Sequence, residues 1–112
     1  MKLVEMAYFT DAVNGMAEFY RTLLGSEPVT RSNDMAIFMI GETKIFIHRT
    51  YESAEGDLPP ENHIAYNVDD VDAVCKSLSE QGLKIEFAPR DYYWGRSTYL
   101  RDPDGHLIEI TA

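Results

Sequence analysis

Positive charge is scarce in this chain: 10 Lys and Arg stand against 19 Asp and Glu, a formal net charge of -9 over 112 residues. Nucleic acid and anionic membrane are therefore poor partners, because phosphate contacts need a basic face. Cysteine is nearly absent. One residue, Cys75, permits neither an intramolecular disulfide nor a thiolate zinc cluster. It falls within a helical pattern, where a buried structural thiol is the expected role. Long apolar runs are missing too, and none approaches the roughly 20 residues that span a bilayer. The start, Met-Lys-Leu-Val-Glu, has no apolar leader core, and Glu5 interrupts it. A cytoplasmic protein is the expectation. No serine-histidine-aspartate order, phosphate loop or dinucleotide fingerprint occurs. With 45% hydrophobic and 26% charged residues, the composition fits one globular domain.

The apolar pattern lays out a sequence of short elements. Leu3 to Phe9 reads as a strand, and Asp11 is placed to cap the helix that follows. Val13, Met16, Ala17, Tyr20 and Leu24 recur at helical spacing, and Gly25 marks the stop. Strands are predicted at residues 27–31, 35–40 and 44–49, separated by Ser32-Asn33-Asp34 and Gly41-Glu42. Residues 52–61, with Gly56, Pro59 and Pro60, read as a linker. The order then restarts. A strand at residues 63–68 precedes Asp69 or Asp70 as cap and a helix carrying Val71, Val74, Cys75 and Leu78 on one face. Gly82 ends that helix, and strands are predicted at 84–88, 96–101 and 106–111, with Pro103-Asp104-Gly105 as the last turn.

The two halves match in residues as well as in order. Setting Glu5 over His63 superposes Ala7 on Ala65, Tyr8 on Tyr66, Asp11 on Asp69 and Val13 on Val71. Ile45-Phe46-Ile47 falls over Ile108-Glu109-Ile110. Each half is a βαβββ unit, which points to duplication: module one at 1–51, a linker at 52–61 and module two at 62–112.

Phe19-Tyr20 with Leu24-Gly25, His63-Ile64-Ala65 with Val68-Asp69-Asp70-Val71, and above all the terminal Asp102-Pro103-Asp104-Gly105-His106-Leu107-Ile108-Glu109 carry a family likeness. In these words the chain resembles the vicinal-oxygen-chelate superfamily of glyoxalases, bleomycin-resistance proteins, fosfomycin-resistance enzymes and extradiol dioxygenases. The resemblance implies an α+β glyoxalase-like fold, in which two βαβββ modules with curved mixed sheets form an open, barrel-like pocket. It also implies metal ligands on the first strand of each module and on a last strand. The matching positions are Glu5, His63 and Glu109, while Phe46 stands where some members carry a further carboxylate.

Carboxylate and imidazole donors suit a hard or borderline divalent ion such as Ni, Zn, Mn or Fe. Glu109 alternates with Ile108 and Ile110, so it faces the pocket if those isoleucines face the helices. A carboxylate buried there is costly without a cation or a donor. Glu5 and His63 occupy equivalent strand positions. Glu5 also departs from the more common family histidine, which weighs against the two-histidine iron site of a dioxygenase. His48 shares a strand face with Phe46 and is a ligand, a proton shuttle or a ligand contact, since imidazole titrates near neutrality. Glu109 and His48 are the candidate catalytic groups. His106, after a turn glycine, is expected on the surface.

Tyr8, Phe38, Phe46, Tyr66 and Tyr99 are candidates to line a cavity, or else ordinary core. Tyr92-Tyr93-Trp94-Gly95 reads as an aromatic loop, either a lid or a dimer contact. The ligand-binding set is then Phe38, Phe46, His48, Tyr93, Trp94 and Tyr99. Three functions fit. One is a divalent-metal lyase or isomerase of glyoxalase type, acting on a small substrate with vicinal oxygens. Another is a metal-free protein of bleomycin-resistance type that sequesters a cationic aromatic compound between Trp94, Tyr93, Phe38 and Phe46, aided by the acidic charge. The third is a dimeric scaffold or ligand sensor on the same fold. A homodimer is expected under all three, with modules paired within a chain or exchanged between chains.

Overall fold

A computed structural model describes residues 1–112. Its elements are β1 (Lys2–Thr10), α1 (Val13–Leu24), β2 (Thr30–Arg31), β3 (Met35–Ile40), β4 (Thr43–Arg49), β5 (His63–Asn67), α2 (Val71–Glu80), β6 (Ile85–Tyr92), β7 (Gly95–Arg101) and β8 (Leu107–Thr111). The βαβββ order thus occurs twice. Within the two halves the strands follow the orders β2-β3-β4-β1 and β5-β8-β7-β6, each a mixed sheet. Two compact units divide the chain, Glu5–Asn62 and Met1–Val4 with His63–Ala112. No helix is long and apolar enough to cross a membrane.

In the unit Glu5–Asn62, β1 runs parallel to β4, and β3 pairs antiparallel with both β4 and β2. Alternation along β4 decides which face is covered. Ile45 and Ile47 join Val13, Ala17, Ala36 and Phe38 in a buried cluster, with Tyr8, Met16, Tyr20 and Leu24 packed against it. Phe38 and Ile47 are wholly buried, and each such side chain contributes about 1.5–3 kcal/mol. Asp11 does not cap α1. Ala12 is the cap residue and has no side-chain bond to the helix, while the Asp11 carboxylate accepts the Thr50 hydroxyl instead. That tertiary partner outcompetes the local one. Gly25 ends α1 in the left-handed region at φ 66°, which a residue without a β-carbon reaches without strain.

The other unit repeats the scheme. β5 is parallel to β8, β8 antiparallel to β7, and β7 antiparallel to β6. Val68, Val71, Leu100 and Ile110 form its core, packed by Tyr66, Val74, Leu78, Ile85 and Ile108. Here the cap forms: Asp70 accepts the Ala73 N–H at 3.0 Å. Cys75 is buried, with its sulfur 3.8 Å from the Thr98 hydroxyl. β6 extends beyond its predicted end to Tyr92 and pairs with Gly95, so the aromatic segment is the tip of a hairpin. Its edge position tolerates Pro89, whose ring removes a ladder donor.

Candidate metal centre

The register across β5, β8 and β7 assembles the polar group. Ala65 lies opposite Glu109, and Glu109 opposite Tyr99. Ile108 and Ile110 pack with the α2-side core, so Glu109 projects from the other face. His63, two residues before Ala65, shares that face. The small Ala65 side chain leaves the diagonal open, and His63 Nε2 comes within 3.2 Å of Glu109 Oε1. Glu109 is 3% exposed, so its charge must be met by donors or a cation. Its second oxygen is met. Oε2 accepts the Ser97 hydroxyl at 2.7 Å and the Trp94 indole N–H at 3.0 Å. Ser97 is itself buried and lies 2.8 Å from the Thr111 hydroxyl oxygen.

Burial is the largest influence on the Glu109 carboxyl and pushes its pKa up, but hydrogen bonds from His63 and Ser97, the His63 charge and the Trp94 donor outweigh it. The net direction is down, so Glu109 is a carboxylate at neutral pH. With Oε2 saturated, Oε1 and His63 Nε2 are the two atoms turned toward each other. Donors bound to one ion at about 2.1 Å stand about 3.0–3.4 Å apart, and the 3.2 Å separation matches that spacing. A hard oxygen and an imidazole nitrogen in a buried setting therefore fit a divalent ion.

Glu5 belongs to the other unit, on β1 opposite Lys44, whose ammonium lies 3.8 Å from its carboxylate. Phe46 holds the position relative to Ala7 that Glu109 holds relative to Ala65, so the first unit carries a ring where the second carries its buried carboxylate. His48 sits opposite Phe9 and is ringed by Phe9, Phe46 and Tyr51 at centroid distances of 5.9, 5.5 and 6.3 Å. Its Nδ1 lies 2.7 Å from the Arg49 carbonyl oxygen, which puts the proton of the neutral ring on Nδ1 and leaves Nε2 as the basic nitrogen.

The aromatic expectations separate. Phe38 is not on a ligand-facing surface: it is wholly buried in the α1-side core, its ring 6.3 Å from Tyr20, because alternation along β3 turns it toward the helix. Tyr99 lies across from Glu109 with its ring 6.0 Å from His63. Trp94 turns toward Glu109: its indole is tied to Glu109 and Ser97 and stacks on Tyr92 at 4.5 Å. Tyr93 is 94% exposed. His106 is exposed as expected, and Asp102 binds its ring and two backbone N–H groups of the turn. The terminal word thus divides into a turn lock, Asp102 to His106, and one site residue, Glu109. Ser97 escaped the sequence reading. Its signal was period-two spacing from Tyr99 on a strand beside Glu109, which counts only once the pairing is known.

A family model, the Glyoxalase/Bleomycin resistance protein/Dioxygenase superfamily, matches residues 2–110. The chain belongs to this superfamily. The protein YraH of Bacillus subtilis (strain 168) is 32% identical, over 98% of this chain and 97% of its own length. A metallothiol transferase, FosB of Staphylococcus epidermidis, is 28% identical over 88% of this chain and 72% of its own length. Among solved structures, a glyoxalase/bleomycin resistance protein/dioxygenase superfamily member from Vibrio splendidus 12B01 superposes with a TM-score of 0.71 at 17% identity, covering 97% and 96% of the two chains. At that identity it shows the fold alone.

Proposed function

We propose that this protein is a divalent-metal-dependent enzyme of lyase or isomerase type, acting on a small substrate with vicinal oxygens, with Glu5, His63 and Glu109 as the metal ligands. The observation that carries this reading is the buried Glu109 carboxylate, which has one oxygen saturated by Ser97 and Trp94 and the other turned to His63 Nε2 at 3.2 Å. Such a carboxylate is held in one orientation before any ligand arrives, which is what a metal ligand requires of its supporting shell. Likeness to a protein named metallothiol transferase supports a metal as well. A bound ion supplies Lewis-acid polarisation of the substrate's oxygens.

The chain's own groups do the rest. Ser97 and Trp94 keep Glu109 ionised and oriented. His48 accepts and returns a proton at Nε2, its ring held by the Arg49 carbonyl. Tyr99 offers an apolar wall beside His63.

Metal content of protein purified without a chelating tag tests the reading. We expect about one divalent ion per site, bound at least about 100-fold more weakly in Glu109→Gln and also weakened in Glu5→Gln. Trp94 is the only tryptophan, so its fluorescence reports loading directly. Wild-type protein that takes up no Ni, Zn, Mn or Fe(II) refutes the assignment. Loss in Glu109→Gln without loss in Glu5→Gln removes Glu5 from the ligand set. A loaded protein is then assayed on α-ketoaldehydes and catechols.

A further inference from the structure

One buried polar atom in the second unit is unaccounted for. The Tyr92 hydroxyl is shut off from solvent and has no hydrogen-bond partner. The ring cannot turn to find one, because it is pinned on three sides: stacked on Trp94 at 4.5 Å and 5°, edge-on to Tyr99 at 6.1 Å, and beneath the Arg90 guanidinium at 5.0 Å. Trp94 donates to Glu109 and Tyr99 lies opposite it on the neighbouring strand, so the hydroxyl belongs to the Glu109 neighbourhood. An orphan hydroxyl costs stability, and phenylalanine would fill the same space without that cost. A buried donor without a protein partner is open to an acceptor that a ligand supplies.

We propose that the Tyr92 hydroxyl is a specificity-determining hydrogen-bond donor, to an oxygen of an anionic small ligand bound beside Glu109. The proposal rests on the metal-centre reading above, which supplies the ligand's position. A phenol donates one proton along a direction fixed by its ring plane. With the ring clamped, it selects ligands that place an oxygen acceptor at that point and penalises those that place carbon there.

Tyr92→Phe tests this, with Mn(II) and then oxalate as probes, followed by calorimetry. The variant keeps the ring and its stacking. Its melting temperature in metal-free buffer should equal or exceed wild type, and its Mn(II) affinity should stay within about twofold. Oxalate should bind the Mn-loaded variant about tenfold more weakly or worse. Equal oxalate affinity in the two proteins overturns the proposal. So does a Tyr92→Phe protein that melts well below wild type, since the hydroxyl then has a structural partner. Failure of the metal reading looks different: wild type itself takes no Mn(II), and the Tyr92 assignment falls with it.

Discussion

Ser97→Ala gives the sharpest test of how Glu109 is held. Ser97 is wholly buried and its hydroxyl donates to a carboxylate that is itself 3% exposed. A hydrogen bond to a buried charged group contributes about 1.5–3 kcal/mol, against about 1 kcal/mol for a neutral pair. Alanine removes one oxygen and leaves Trp94 as the remaining donor to Oε2. We therefore expect a loss of about 1.5–3 kcal/mol at pH 7 in metal-free urea unfolding, or roughly 6–12 °C in melting temperature for a domain of this size. The pH dependence has a definite sign. Glu109 is depressed in the folded state from its ordinary value of 4.5, so the stability it contributes is present above that value and lost as pH falls through the folded pKa. The gap between wild type and Ser97→Ala should be full above about pH 5 and shrink toward about 1 kcal/mol as both carboxyls protonate. A gap below about 0.5 kcal/mol at pH 7, or one that stays constant down to pH 3, refutes the claim that Ser97 serves the ionised carboxylate.

Three further outcomes test the fold that carries the site. Asp70→Ala should cost about 1 kcal/mol by chemical denaturation through loss of the α2 cap, whereas Asp11→Ala should leave the helicity of α1 unchanged by circular dichroism, because Asp11 binds Thr50 and not the helix. Gly95→Ala should destabilise by more than about 2 kcal/mol in urea, since φ there is 139° and a β-carbon would lie 2.6 Å from the Ala112 carbonyl oxygen.

The hairpin that ends at Gly95 also shows where sequence reading stops. Tyr92 to Gly95 carries three aromatic residues and a glycine, and residue types alone allow a lid or a dimer contact. Only the pairing of Tyr92 with Gly95 turns Trp94 back toward Glu109. Phe38 makes the same point in reverse. Residues 35–40 are apolar at every position, so residue types leave either face open to α1, and packing placed Phe38 in the core.

What the sequence by itself determined is local and periodic. The twofold βαβββ order, the helix stop at Gly25, a carboxylate cap at Asp69 or Asp70 and the projection of Glu109 away from its flanking isoleucines all follow from spacing. Backbone propensity and alternation act over a few residues, so they are written in a few residues. Tertiary structure decided which strands became neighbours, and with that which side chains met. His63 and Glu109 are 46 positions apart in the chain and meet because β5 pairs with β8 in a register that puts the small Ala65 opposite Glu109. Ser97 and Trp94 reach the same carboxylate only because β7 pairs with β8. Register is a cooperative outcome of the whole sheet, summed over cross-strand contacts that no single segment contains.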